Sequence, residues 1–156
     1  MDTPAAKPGE LKALLIIHKT LLMGLLSFLI VAFYLVYSKT FTDGFQELDK
    51  ILQVIAILLS AGGFYFGTVL FKKKLLQARE LPTAKEKMTL YRAACILQWA
   101  MIEGPCLFVI ISFLLTGNYA FLALVVVLML LFTMMAPSKL KIAFQLQLNE
   151  QEIAEL

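Results

Sequence analysis

The stretch 93–115, AACILQWAMIEGPCLFVIISFLL, decides how the chain is read. It is an apolar run long enough to cross a bilayer, because about 20 residues at about 1.5 Å each cover a hydrocarbon core of ~30 Å. Its single charge, Glu103, falls near the middle. The nearest charged residues are Arg92 and Lys139, so no sequence neighbour neutralises it. A charged group at that depth costs roughly 2.5–3.5 kcal/mol on insertion scales, and such residues usually face protein or water. What surrounds Glu103 is therefore the question put to the remaining sequence.

Composition points to the same class. Hydrophobic residues make up 60% of the 156 residues and the mean hydropathy is +0.82, against roughly 45–50% apolar residues in a soluble domain. The net charge is only +3, and Lys and Arg cluster beside apolar runs, which excludes a nucleic-acid footprint. The expected architecture is all-α and polytopic: one membrane domain over 1–156, with spans at about 14–37, 51–71, 93–115 and 119–136. A helical hairpin over 72–92 and a short amphipathic C-terminal helix over 138–156 complete it.

Working outward from Glu103, the preceding span supplies a packing surface. Ala56, Ser60, Gly63 and Gly67 fall at i, i+4, i+7 and i+11, one small-residue ridge along a helix, and Gly63 with Gly67 makes a GxxxG pair. Small residues let helix backbones approach closely, which matters in lipid because packing replaces the hydrophobic drive. Counting residues from the span ends places Ser27, Ser60 and Tyr65 near the depth of Glu103. Their hydroxyls are the expected hydrogen-bond partners, making Glu103, Ser60, Tyr65 and Ser27 a candidate proton or ion site. Gly104 and Pro105 are expected to kink the span, since proline has no N–H for the helix ladder.

Between the second and third spans lie Lys72, Lys73, Lys74, Arg79, Lys85, Lys87 and Arg92 against only Glu80 and Glu86. Thr83 and Glu86 have capping-box spacing after Pro82, so a helix is expected to start there, with the hairpin tip near residues 80–83. Basic residues concentrate on the cytoplasmic side, which places the hairpin and both termini inside a bacterial inner membrane. Lys72, Lys73, Lys74 and Arg79 are then candidates for lipid or partner contact. Outside lie the 38–50 connection, with its Asp43-Gly44 turn signal, and the Thr116-Gly117-Asn118 turn.

At the chain's ends the signals are simpler. Residues 1–10 read as a frayed polar tail without a cleavable signal. His18 and Lys19 read as interface residues at a helix end, at the wrong depth to serve Glu103. Leu140, Phe144 and Leu148 recur at i, i+4 and i+8, the pattern of a helix lying on the membrane or on the hairpin. Asn149 with Glu152 has the spacing to cap one last turn. Cys95 and Cys106 share a face but stand about 16 Å apart along a helix axis, too far to join. One His and two separated Cys give no metal site, and no cofactor is expected.

Two resemblances bear on this reading. The segments 61–64 (AGGF), 91–95 (YRAAC), 102–105 (IEGP), 116–119 (TGNY) and 136–139 (APSK) make the whole chain resemble a set of small four-span bacterial membrane proteins of the Bacteroidetes type. That likeness implies the fold and a membrane location, and no particular activity. More locally, residues 51–115 are similar in plan to the helical hairpin of rotary-ATPase proteolipid subunits. Gly63 and Gly67, Arg79 and Pro82, and Ala100-Met101-Ile102-Glu103 occupy the places of the glycine-bearing helix, the polar loop and the carboxylate helix. The resemblance implies Glu103 as a proton site and carries over nothing else.

The expected function is that of a non-enzymatic accessory or assembly subunit, bound to lipid and to a protein partner or a second copy through the 72–92 hairpin and the small-residue ridge. The alternative is a proton- or cation-binding helix bundle centred on Glu103. No Ser-His-Asp, metal or phosphate-loop constellation points to an enzyme.

Overall fold

The computed structural model describes residues 9–40, 46–150 and 152. The tail 1–8, the Asp43-Gly44 turn signal and residues 151 and 153–156 lie outside the described residues. In chain order the helices are α1 (Glu10–Tyr37), α2 (Asp49–Arg79), α3 (Ala84–Thr116), α4 (Tyr119–Met134) and α5 (Lys139–Leu146), with one 3-10 turn at Gln46–Leu48. No strand occurs among the described residues. Three helices, α1 to α3, are long and apolar enough to cross a membrane. At 16 residues α4 is shorter, and α5 follows it at a bend of 73°; together the pair would count as a fourth crossing.

Helix ends follow their local chemistry. Thr83 sits in extended conformation and its side chain accepts from the Glu86 amide, which starts α3. Gly117 closes α3 in the left-handed region, φ 67°, where a side chain would be strained. Asn118 then caps α4 by accepting from Ala120 N at 2.9 Å. The same Asn118 donates its Nδ2 to Asp49 Oδ2 at 2.8 Å, tying the start of α2 to the α3–α4 turn. Ser138 caps α5 through Lys141 N.

The C-terminal helix is shorter than the sequence spacing implies. It ends at Leu146 because Gln147 turns left-handed, φ 52°; Asn149 and Glu152 then exchange reciprocal hydrogen bonds of 2.9 and 2.8 Å in a separate turn.

Helix α3 is the centre of the bundle, with Trp99, Ile102, Cys106, Val109, Ile110 and Phe113 all buried. Ring contacts set the directions of its neighbours. His18 of α1 meets Trp99, and fifteen residues on Phe33 meets Phe113, so α1 and α3 run the same way. Phe132 of α4 lies at Trp99 while Tyr119 lies at Phe113, so α4 runs opposite. Helix α2 also runs opposite, since it joins α3 through the 80–83 turn and Phe71 meets Tyr91 beside it. Helix α4 buries Phe121, Val125, Leu128 and Phe132 along one stripe.

Candidate functional site

The buried residues of α2 are Ala56, Ser60, Gly63, Gly67, Phe71, Leu75 and Ala78, one stripe at helical spacing. Its small members lie against α3. A Cβ at Gly63 would overlap the Met101 carbonyl oxygen and come within 2.8 Å of Pro105 Cγ; at Gly67 it would come within 3.2 Å of Met101 Cβ and 3.4 Å of the Gln98 oxygen. Met101 is four residues before Pro105, so its carbonyl is the one that proline leaves without a helix donor. The glycine opposite it lets the two backbones close on that oxygen. Helix α3 itself continues unbroken through Pro105.

This geometry separates the ridge from Glu103. Met101 and Glu103 are two residues apart, hence about 200° apart around α3, and Pro105 is likewise about 200° beyond Glu103. The small-residue face of α2 therefore meets the other side of α3. Ser27 is exposed and Tyr65 is 63% exposed, its ring set edge-on to Phe66. Ser60 is buried with its hydroxyl unpartnered. The expected shelter of Ser27, Ser60 and Tyr65 around Glu103 is thus not assembled, and no hydrogen bond or ion pair to the Glu103 carboxylate appears among the described residues.

Glu103 stands instead on a seam. Of the residues sharing its side of α3, Trp99, Cys106 and Ile110 are buried whereas Ala100 and Leu107 are exposed, and Glu103 is half-buried between them. Next to it, Ala100, Gly104 and Leu107 form an exposed stripe. Gly104 and Gly62 have nothing within 4 Å of where a Cβ would be, and both line an apolar groove of about 480 Å³ between α2 and α3 with Phe66 and Ala100.

One helical turn before Glu103 lies a polar cluster that the sequence reading placed at the interface. His18 is only 3% exposed. Its ring stacks on Phe132, centroids 4.8 Å apart at 14°, and meets Trp99 edge-on at 4.9 Å. Its Nε2 is 3.0 Å from the Phe132 carbonyl oxygen; a carbonyl can only accept, so Nε2 carries the hydrogen and donates. Phe132 belongs to the last turn of α4, and its carbonyl oxygen also accepts from Met135 N at 3.0 Å, so His18 is a second donor to it. His18 thus caps α4 from another helix, and Lys141 Nζ donates to Met134 O at 3.2 Å beside it. Trp99 Nε1 is buried without a partner.

The basic hairpin is used partly inward. Lys72 and Lys73 are exposed and Lys74 is half-buried, but Arg79 Nε donates to the Gln145 main-chain oxygen at 2.7 Å. Tyr91 OH donates to Gln145 Oε1 at 2.8 Å, so one residue of α5 is held by both arms of the hairpin. Lys87 pairs with Glu152 at 2.9 Å. Partial burial of Glu152 opposes its ionisation, yet the Asn149 amide and the Lys87 ammonium outweigh it and hold the carboxyl below its ordinary range. Among the described residues no group of three or more His, Cys, Asp or Glu could hold a metal ion, and Cys95 and Cys106 are free and buried.

The described residues form an all-helical fold in which three helices are long and apolar enough to cross a membrane, with Glu103 half-buried on α3. No family model, curated protein or solved structure matches the chain.

Proposed function

We propose that this chain is a four-span, non-enzymatic membrane protein acting as an accessory or assembly subunit, whose contact with a partner's spanning helix is the exposed stripe of α3 at Glu103. The observation that carries this reading is the position of Glu103: half-buried, without a hydrogen bond among the described residues, beside Ala100 and Gly104. A carboxylate at mid-span is costly until another group shares it. A helix laid along the stripe approaches closely because Gly104 and Ala100 offer no bulk, and its donor side chain reaches Glu103. The hairpin end, bearing Lys72, Lys73, Lys85 and Arg92, faces the cytoplasm of a bacterial inner membrane, as do both termini.

Purification in gentle detergent with native mass measurement tests this. A stable partner, or a second copy, is expected with the wild type and is expected to be lost in Gly104→Leu, which fills the stripe. A monomer that carries no partner, or an assembly indifferent to Gly104→Leu, would reject it.

The bare Glu103 carboxyl also supports the second reading, a proton- or cation-binding bundle of proteolipid-like plan. That reading requires carbodiimide labelling of Glu103 and a proton flux in proteoliposomes that disappears in Glu103→Gln.

A further inference from the structure

Helix α5 carries two apolar faces. Ile142 and Leu146 are buried, and Leu148 beyond the helix is buried as well. Leu140 and Phe144 are 84% and 83% exposed. Each pair is spaced i, i+4, and the pairs are offset by two residues, about 200°, so they occupy opposite sides of the helix. Leu148, which extends the Leu140–Phe144 spacing in sequence, leaves that face because Gln147 turns left-handed.

The position of α5 says what covers the free face. Phe132, at the end of α4, lies at the level of Trp99, and Gln145, near the end of α5, lies at the level of Tyr91. Those levels are eight residues apart on α3, roughly 12 Å. Helix α5 turns away from the axis of α4 at a bend of 73°, and its Gln145 is reached by both Arg79 and Tyr91 of the hairpin. Helix α5 thus crosses the hairpin end of the bundle, beside Arg79 and Tyr91. Its charged residues are Lys139 and Lys141, with no acid between them, and this suits the phosphates of lipid headgroups.

We propose that α5 is an interfacial helix: Leu140 and Phe144 insert into the headgroup–acyl boundary of the leaflet at the hairpin end, while Ile142 and Leu146 hold the hairpin. The lipid is a structural partner of this segment, independent of whichever protein meets Glu103.

Nitroxide labels test it in the full chain, reconstituted in vesicles of phosphatidylcholine with phosphatidylglycerol, after Cys95→Ala and Cys106→Ala. Labels at Leu140→Cys and Phe144→Cys are expected to collide preferentially with oxygen, and a label at Gln147→Cys with a water-soluble nickel chelate. Chelate preference at 140 and 144 would put the face in water. Shielding from both reagents would put it against protein, and either result overturns the proposal. A second measurement uses the unmodified chain with a photoactivatable diazirine phospholipid. Adducts are expected on the 139–146 peptide, and their restriction to α1–α4 would equally overturn it.

Discussion

Gly63 and Met101 meet backbone to backbone: the Met101 carbonyl oxygen lies where a side chain of Gly63 would begin. The proline four residues on strips that oxygen of its helix donor, and the glycine opposite gives it a Cα–H to lie against, a weak contact that recurs at helix interfaces. Gly63→Ala is expected to cost about 1–3 kcal/mol by overpacking. Gly67→Ala should cost less, because its nearest neighbour, Met101 Cβ, is 3.2 Å away and has to give by only a few tenths of an ångström. Thermal unfolding in detergent ranks the two; a Gly63→Ala protein as stable as the wild type would mean the helices do not touch there.

The His18 cap is tested by the chain's single tryptophan. His18→Phe keeps a ring against Phe132 but removes the donor, for an expected loss of about 1 kcal/mol. His18→Ala also leaves a cavity and should be clearly worse. Because Trp99 is the only tryptophan and touches His18, its emission should shift in both variants. An unchanged spectrum and melting point would remove His18 from the cluster.

Tyr91→Phe and Gln145→Ala break the same hydrogen bond. Each should loosen α5 by about 1 kcal/mol, and the double variant should lose markedly less than the sum. Arg79→Ala removes a different bond, so its effect should add to that of Tyr91→Phe. Trypsin cleavage after Lys139 and Lys141 reports all four; strict additivity of Tyr91→Phe with Gln145→Ala would disprove their pairing.

The Lys87–Glu152 pair sets a pH dependence. Glu152 is held below its ordinary range when folded, so its contribution is complete above the unfolded value of about 4.3 and is lost as pH falls through the lower folded value. A spin label at Glu150→Cys should stay immobile down to about pH 4.3 and gain mobility below it. In Glu152→Gln the same label should be mobile throughout, with no such step.

How much of this was legible in the sequence depended on range. The ridge Ala56, Ser60, Gly63, Gly67 is a local repeat, and so is the Thr83 cap; both are written within a few turns of helix. The surroundings of Glu103 were not legible, because they depend on where α2 sits around α3. Depth counting brought Ser60 and Tyr65 level with Glu103 but could not show that α2 packs at Gln98, Met101 and Pro105. His18 read as an interfacial residue because nothing nearby reveals the carbonyl 114 residues away that it meets. Gln145 carried no signal at all, being one polar residue between Phe144 and Leu146.

The grip on Gln145 has a mechanical result. With Arg79 at the end of α2 fastened to its main chain and Tyr91 of α3 to its side chain, α5 acts as a brace across the two arms. Spreading of those arms would have to pull at least one of the two bonds apart. The brace is itself tied to the end of α4, because Lys141 Nζ donates to the Met134 and Ala136 oxygens.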